Sequence, residues 1–103
     1  MTPRALPTTT AEYRGLMSEA AWQTWIVNTA RARGWLVAHL RDSRGQDATG
    51  MPDLVLARGG LVILAELKSE TGGIRDSQKP WLAASGNHVW RPSMRTKVEA
   101  MLA

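Results

Sequence analysis

Residues 50–72, GMPDLVLARGGLVILAELKSETG, contain two strongly apolar runs on either side of Gly59 and Gly60. A glycine pair between two such runs is typical of a β-hairpin, because the tight turns that join antiparallel strands need residues that tolerate positive φ angles. We therefore predict strands over residues 53–58 and 61–68. The rest of the chain must cover or extend this hairpin.

The register of the hairpin brings ionisable residues together. If the two glycines form a two-residue turn, Arg58 pairs with Leu61. Counting back along both strands then places Asp53 directly opposite Glu66, and opposite residues share a face with Cβ atoms roughly 4.5–5.5 Å apart. Lys68 lies two residues after Glu66, so it points to the same face. The sequence therefore predicts two carboxylates and one ammonium at one end of the hairpin.

Apart from these charges, both faces of the hairpin are apolar. One face carries Leu54, Leu56, Ile63, Ala65 and Leu67, and the other carries Val55, Ala57, Val62 and Leu64. Strands that are apolar on both sides are usually covered by helices on both faces. We therefore expect a buried sheet with the charged residues at its end.

Two interpretations of the charged residues stand. In the first, Asp53 and Glu66 bind a divalent cation, because adjacent carboxylates repel each other and resist burial, and a cation relieves both problems. Oxygen ligands suit Mg²⁺ or Mn²⁺. In the second, Glu66 and Lys68 lie on a solvated edge, and Asp53 is a turn residue after Pro52.

A third acidic residue occurs in a predicted helix. Ser18 is a suitable N-cap, and the helix is expected to run to about Arg33, with Gly34 as its stop. Glu19 shares a helical face with the mostly apolar residues Trp22, Gln23, Ile26 and Ala30. We therefore expect Glu19 to point inward as a metal ligand, although a first-turn acid also stabilises a helix through the helix dipole alone.

The remaining elements complete a single domain over residues 1–103, of which 1–10 are expected to form a mobile tail. The predicted elements are a strand at 35–41, a loop at 42–52, a helix at about 76–84, a strand at 88–92 and a helix at 94–102. The order is α-β-β-β-α-β-α. This order predicts an α/β fold with a mixed β-sheet flanked by helices.

The composition is that of a basic globular chain. The net charge is +4 and there is no cysteine, which excludes disulfides and thiolate metal sites. No apolar run approaches the ~20 residues that cross a bilayer, and the N-terminus lacks an apolar leader. We therefore expect a cytoplasmic protein with no membrane partner. The positive charge favours a polyanion such as nucleic acid, since lysine and arginine release counterions from phosphates.

The motif residues extend well beyond the hairpin. Pro52-Asp53 on one strand precedes Glu66-Leu67-Lys68 on the next. Further motifs between about residues 18 and 92 are Glu19 with Gln23, Gly34-Trp35, His39, Asp42-Ser43-Arg44, Gly50-x-Pro52-Asp53-Leu54, Gly72, Gln78-x-x-Trp81-Leu82 and Trp90-Arg91-Pro92. Together they resemble the VRR-NUC family of the PD-(D/E)xK nuclease superfamily, in particular its small stand-alone members from phages and bacteria.

The resemblance implies a restriction-endonuclease-like core and a Mg²⁺-dependent endonuclease, with Mn²⁺ as the alternative ion. Stand-alone members are similar to Holliday-junction resolvases, act as homodimers and cut branched DNA. The resemblance therefore implies that the protein acts in the cytoplasm of a bacterial or phage-infected cell. The groups implied to bind the cation are Glu19, Asp53, Glu66 and the backbone carbonyl of Leu67. Lys68 is implied to position or activate the attacking water, and Gln78 to lie at the edge of the same catalytic site.

Polar and basic residues at the rims of this site are candidates for DNA contacts or for ordinary solvated positions: Arg41, Ser43, Arg44, Arg75 and Lys79. One departure from the family concerns the helix after Gln78, which is usually longer, whereas seven residues separate Gln78 from Gly86 here. The dimer contact is therefore open. The alternatives are a non-catalytic nucleic-acid-binding module of the same fold, and a nuclease acting on unbranched DNA or RNA.

Overall fold

A computed structural model describes residues 17–40 and 49–103, and this part of the chain forms three α-helices and one four-stranded sheet. The helices are α1 (Glu19–Ala32), α2 (Lys79–Ser85) and α3 (Arg95–Leu102). The strands are β1 (Leu36–His39), β2 (Leu54–Arg58), β3 (Leu61–Leu67) and β4 (Val89–Trp90). They lie in the order β1-β2-β3-β4, with β4 parallel to β3 and the other pairs antiparallel. The predicted α/β class with a mixed sheet is confirmed.

Helix α1 begins and ends where its capping residues predict. The Ser18 side chain accepts a hydrogen bond from the Ala21 backbone N–H at 3.1 Å, which satisfies one of the free donors of the first turn. Gly34 follows the C-cap with a φ of +85°, a conformation that favours glycine. The helix buries one stripe, which consists of Trp22, Ile26 and Ala30.

The hairpin has the predicted turn and the predicted register. Gly59 and Gly60 have φ angles of +58° and +82°, so both residues of the turn need the freedom of glycine. Arg58 pairs with Leu61 at the turn, and Leu54 pairs with Ala65 at the far end of β2. The register therefore continues toward Asp53 and Glu66 without a bulge.

The main core lies between the sheet and the helices α1 and α3. Its buried side chains are Trp22, Ile26, Ala30, Trp35, Leu54, Leu56, Ile63, Ala65, Leu67, Trp90, Val98 and Leu102. Two of the three indole N–H groups in this core have carbonyl partners: Trp22 donates to the Trp90 carbonyl at 2.9 Å, and Trp35 donates to the Leu102 carbonyl at 3.0 Å. These bonds let large aromatic side chains be buried without an unsatisfied donor.

Among the described residues, the opposite face of the sheet is covered only at one end. Helix α2 buries Leu82 there, but Leu36 and Val62 are 76% and 61% exposed. With Ala57 between them, these two residues form one apolar row across β1, β2 and β3. Within the described residues, the expectation of helices over both faces is therefore only partly correct. The reason is the length of α2, since its seven residues span only about 10 Å.

The ends of the chain segments differ slightly from the sequence prediction. Strand β1 ends at His39 instead of residue 41, and residues 41–48 and the expected tail at 1–10 lie outside the described residues. Strand β4 is two residues long and is followed by a 3₁₀ turn at Pro92–Met94. In the part of the chain that the structure describes, no helix has the length and apolar character needed to span a membrane.

Candidate functional site

Asp53 and Glu66 lie at the end of the hairpin where β2 begins and β3 ends. The Asp53 carbonyl accepts a hydrogen bond from the Leu40 N–H at 2.7 Å, so the residue is held in the sheet although it precedes β2. Its carboxylate Oδ2 accepts a hydrogen bond from the Leu67 N–H at 3.1 Å. Because the N–H and carbonyl of one strand residue point to the same side, the Leu67 carbonyl also faces β2 and Asp53.

The Glu66 carboxylate is buried and only half satisfied. The residue is 3% exposed, and its Oε2 accepts a hydrogen bond from the Gln78 side-chain amide at 2.9 Å. Lys68 Nζ lies 3.5 Å from the same oxygen. The other oxygen, Oε1, is buried and accepts no hydrogen bond from residues 17–40 and 49–103. A buried polar atom without a partner usually costs about 1–3 kcal/mol, so this oxygen requires an explanation.

The surroundings make Glu66 a weak acid. Its pKa is raised from 4.5 to about 7, first by burial and then by the negative charge and hydrogen bonding of Asp53, while Lys68 acts in the opposite direction. In the absence of a cation, the negative charge of Asp53 therefore disfavours the ionised form of Glu66. Strongly perturbed acids of this kind occur frequently at functional sites, although structural ion pairs also produce them.

Gln78 fixes the position of the Glu66 carboxylate. It is buried at 2% exposure in a 3₁₀ turn, Asp76–Gln78, directly before α2. Its Oε1 accepts a hydrogen bond from the Arg75 N–H at 2.8 Å, which leaves the amide Nε2 to donate to Glu66. The structure thus brings Gln78 to the acid pair, where the resemblance implied it to lie.

Gly50 allows this turn to sit against the segment that leads into Asp53. Its φ is +85°, and a Cβ atom built on it would lie 1.9 Å from the Ser77 carbonyl oxygen. The Trp81 indole N–H donates to the Thr49 carbonyl at 3.1 Å and closes the same contact. A side chain at position 50 would therefore separate Asp53 from the turn that carries Gln78. The sequence motif included Gly50, but its physical role becomes visible only in the structure.

Arg91 organises the loop that follows Lys68, and sequence reasoning assigned it no role. Its Nη1 donates to the carbonyls of Ser69 and Gly72, both at 2.7 Å. The Glu70 carboxylate in turn accepts a hydrogen bond from the Ser93 N–H at 2.9 Å. The only available sequence signal was an arginine between a buried tryptophan and a proline. These contacts fix the path of the backbone directly after Glu66-Leu67-Lys68.

Glu19 is placed differently from the expectation. It is exposed in the first turn of α1, so the inward orientation predicted from its helical face is wrong. The buried stripe of α1 begins one turn later, at Trp22. Among residues 17–40 and 49–103, no three histidine or acidic side chains are arranged to hold one ion. A ligand role for Glu19 stays a prediction.

The expected DNA-contacting residues fall into two groups. Arg41, Ser43 and Arg44 lie outside the described residues. Arg75 and Lys79 are exposed and flank the Gln78 turn, and Lys79 Nζ forms an exposed ion pair with Asp76 at 2.8 Å. Such an exposed pair contributes little to stability, so Lys79 is free to exchange partners.

The donor set of the site fits a hard divalent cation. Within the part of the chain that the structure describes, the site combines two adjacent carboxylates, a backbone carbonyl on the same side and one buried oxygen without a partner. Mg²⁺ is usually bound by one or two carboxylates and keeps several waters, so a third acidic side chain is not required. A cation at Glu66 Oε1 would also offset the burial and the repulsion by Asp53 that raise the pKa of this acid.

No family model, curated protein or solved structure matches the chain. The chemistry of Asp53, Glu66, Lys68 and Gln78 is therefore the basis of the functional proposal.

Proposed function

We propose that the protein is a metal-dependent endonuclease with a restriction-endonuclease-like fold, which hydrolyses phosphodiester bonds in DNA. The observation that carries this proposal is the buried Glu66 carboxylate, which lies beside Asp53 and Lys68 and has one oxygen without a hydrogen-bond donor among the described residues. A purely structural role would be served better by an amide or an apolar side chain, because these avoid the cost of burying a charge.

The proposed ion is Mg²⁺ or Mn²⁺, held by the carboxylates of Asp53 and Glu66 and by the Leu67 carbonyl. When bound, such an ion stabilises negative charge on phosphate oxygens and lowers the pKa of a water ligand. Lys68 places its ammonium beside Glu66, 3.5 Å from Oε2, where it orients water and offsets charge that grows on the phosphate. Gln78 keeps Glu66 in place through its hydrogen bond at 2.9 Å.

The proposed substrate follows from charge and from the resemblance to junction resolvases. The chain carries a net charge of +4, and Arg75 and Lys79 are exposed at the rim of the acid pair. Backbone contacts by such residues position a nucleic acid without reading its sequence. We propose branched DNA as the preferred substrate and a homodimer as the active form, since opposed cuts in a junction require two active sites related by a two-fold axis.

A second candidate is a non-catalytic nucleic-acid-binding module of the same fold. It is favoured by the hydrogen bond from Gln78 and the ion pair from Lys68, which already give Glu66 Oε2 two protein partners. In that case the polar cluster orders the end of the sheet and has no chemical task. A nuclease for unbranched DNA or for RNA is the third candidate, and the same experiment distinguishes all three.

The test is a cleavage assay with end-labelled four-way junction, flap, duplex, single-stranded DNA and RNA of matched length. Each substrate is incubated with purified protein in Mg²⁺, in Mn²⁺ and in EDTA. The proposal expects cleavage in either metal and none in EDTA, with the branched substrates cut fastest. Binding without cleavage of any substrate would favour the non-catalytic module, and faster cutting of unbranched DNA or RNA would change the assigned substrate.

A further inference from the structure

A polar cavity lies between α1 and β1, on the side of the sheet opposite to the Asp53–Glu66 pair. Its volume is about 220 Å³, and its polar lining consists of Gln23, Thr24, Asn28, Arg31 and His39. Small-molecule sites usually enclose about 300–1,000 Å³, so this cavity suits a group of only a few atoms. None of its lining residues belongs to the Asp53–Glu66 site.

The cavity is built by two faces that the fold sets opposite each other. Thr24, Asn28 and Arg31 lie on one face of α1, because residues three and four apart are neighbours on a helix. His39 pairs with Leu54 across the strands, so its side chain points to the same side of the sheet as the core and α1. Val27 and Val37 provide the apolar part of the lining.

The open edge of β1 adds backbone donors beside the cavity. Leu40 donates its N–H to the Asp53 carbonyl, so the N–H of Leu40 points toward β2. Because the direction of the N–H groups alternates along a strand, those of Val37 and His39 point away from β2. Among the described residues, β1 has β2 as its neighbour on one side and no strand on the other. The carbonyls of these two residues face the same edge, so a ligand there approaches both donors and acceptors.

The chemistry of the lining selects an anion. Among the described residues, the lining contains a guanidinium, an imidazole, two amides and a hydroxyl, and no carboxylate. The Thr24 hydroxyl donates its proton to the Ala20 carbonyl at 3.1 Å. The Thr24 oxygen can therefore accept a hydrogen bond, but its proton is not available to a ligand in the cavity. Arg31, Asn28 and Gln23 are the main donors. An arginine with flanking amides at a helix surface binds phosphate oxygens through charge-assisted hydrogen bonds.

We propose that this cavity binds a backbone phosphate of a nucleic-acid strand. The source of the phosphate rests on the proposed function, whereas binding of a phosphate group rests on the cavity alone. His39 lies opposite Leu54, the residue after Asp53, so the cavity and the acid pair flank the same end of β2 on opposite sides of the sheet. A strand that contacts both sites passes around the β1 edge, which holds the nucleic acid at a second point.

The experiment is an amide chemical-shift titration of the metal-free protein, in which no cleavage interferes. Sodium phosphate is added first, against sodium chloride at equal ionic strength, and a DNA duplex of about 12 base pairs is added to a second sample. The proposal expects saturable shifts at Asn28, Arg31 and His39 with both probes. Arg31→Gln should abolish them, and Lys97→Gln, which removes an exposed charge from α3, should leave them unchanged.

A salt titration of DNA binding provides the quantitative readout. Loss of one phosphate contact lowers the slope of log affinity against log salt by about 1, so Arg31→Gln should show this decrease and Lys97→Gln should not. Equal effects of the two variants, or shifts with phosphate but not with DNA, would overturn the proposal. These measurements are made without metal, so their outcome does not depend on whether the protein cleaves DNA. Failure of the nuclease proposal and failure of the cavity proposal can therefore be distinguished.

Discussion

The pH dependence of stability gives the sharpest test of the buried acid. Glu66 has a pKa of about 7 in the folded protein, against 4.5 as its ordinary value. The folded state therefore binds a proton that the unfolded state releases, so stability is fully present below pH 4.5 and is lost as the pH rises through 7. At 1.36 kcal/mol per pKa unit, this group lowers the free energy of unfolding by about 3 kcal/mol above pH 7.

The perturbation is Glu66→Gln, which keeps the shape of the side chain and removes its titration. We expect the free energy of unfolding of the metal-free wild type to fall between pH 4.5 and 7.5 relative to that of Glu66→Gln, by about 3 kcal/mol. The measurement is urea denaturation at five pH values with EDTA present.

The control for this experiment is Glu99→Gln. Glu99 is half-exposed and pairs with Arg33 at 3.1 Å on the surface, so the variant removes one carboxylate of the same type outside the site. It should keep the wild-type dependence on pH. If the curves of wild type and Glu66→Gln run parallel through this range, Glu66 is not the weak acid described above, and the case for a cation at this position fails.

Three further predictions concern the lysine, the close contact at Gly50 and assembly. Lys68→Ala should lose most of the cleavage rate but keep DNA binding in Ca²⁺, and equal loss of both would make Lys68 a phosphate-binding residue instead. Gly50→Ala should destabilise the protein by at least about 2 kcal/mol in urea denaturation, because position 50 needs a positive φ and has no space for Cβ. The control Gly73→Ala, where nothing lies within 4 Å, should be nearly neutral. Light scattering should give the mass of a homodimer across the working concentrations, and a monomer that makes single nicks in a junction would contradict the resolvase proposal.

The hairpin was predictable because its determinants are local. Gly59 and Gly60 permit one tight turn, the turn sets the register, and the register brings Asp53 to the end of β3 beside Glu66. The start of α1 was equally local, since the Ser18 side chain caps the helix within three residues. In each case, backbone geometry over a few residues is enough to fix the result.

The contacts that finish the site depend on packing between distant segments, which the sequence pattern does not encode. Gly50 packs against Ser77, and Arg91 donates hydrogen bonds to carbonyls in residues 69–72. Each contact joins parts of the chain that are separated by about 20 residues or more. Glu19 shows the opposite failure. Its helical face was correctly identified as apolar, but burial along that face begins only at Trp22, so Glu19 in the first turn is exposed.

The proposal that Asp53 and Glu66 hold a cation required for phosphodiester cleavage can be tested on the cleavage step itself. Its most direct test is single-turnover cleavage of a labelled junction in Mg²⁺ by wild type, Asp53→Asn and Asp76→Asn, with circular dichroism to show that all three are folded. Asp76 is an exposed acid near the site, paired with Lys79, and serves as the matched control. Metal catalysis contributes several kcal/mol, so Asp53→Asn should be slower by at least about 100-fold. Asp76→Asn should cut at the wild-type rate. Undiminished cleavage by folded Asp53→Asn would contradict the claim.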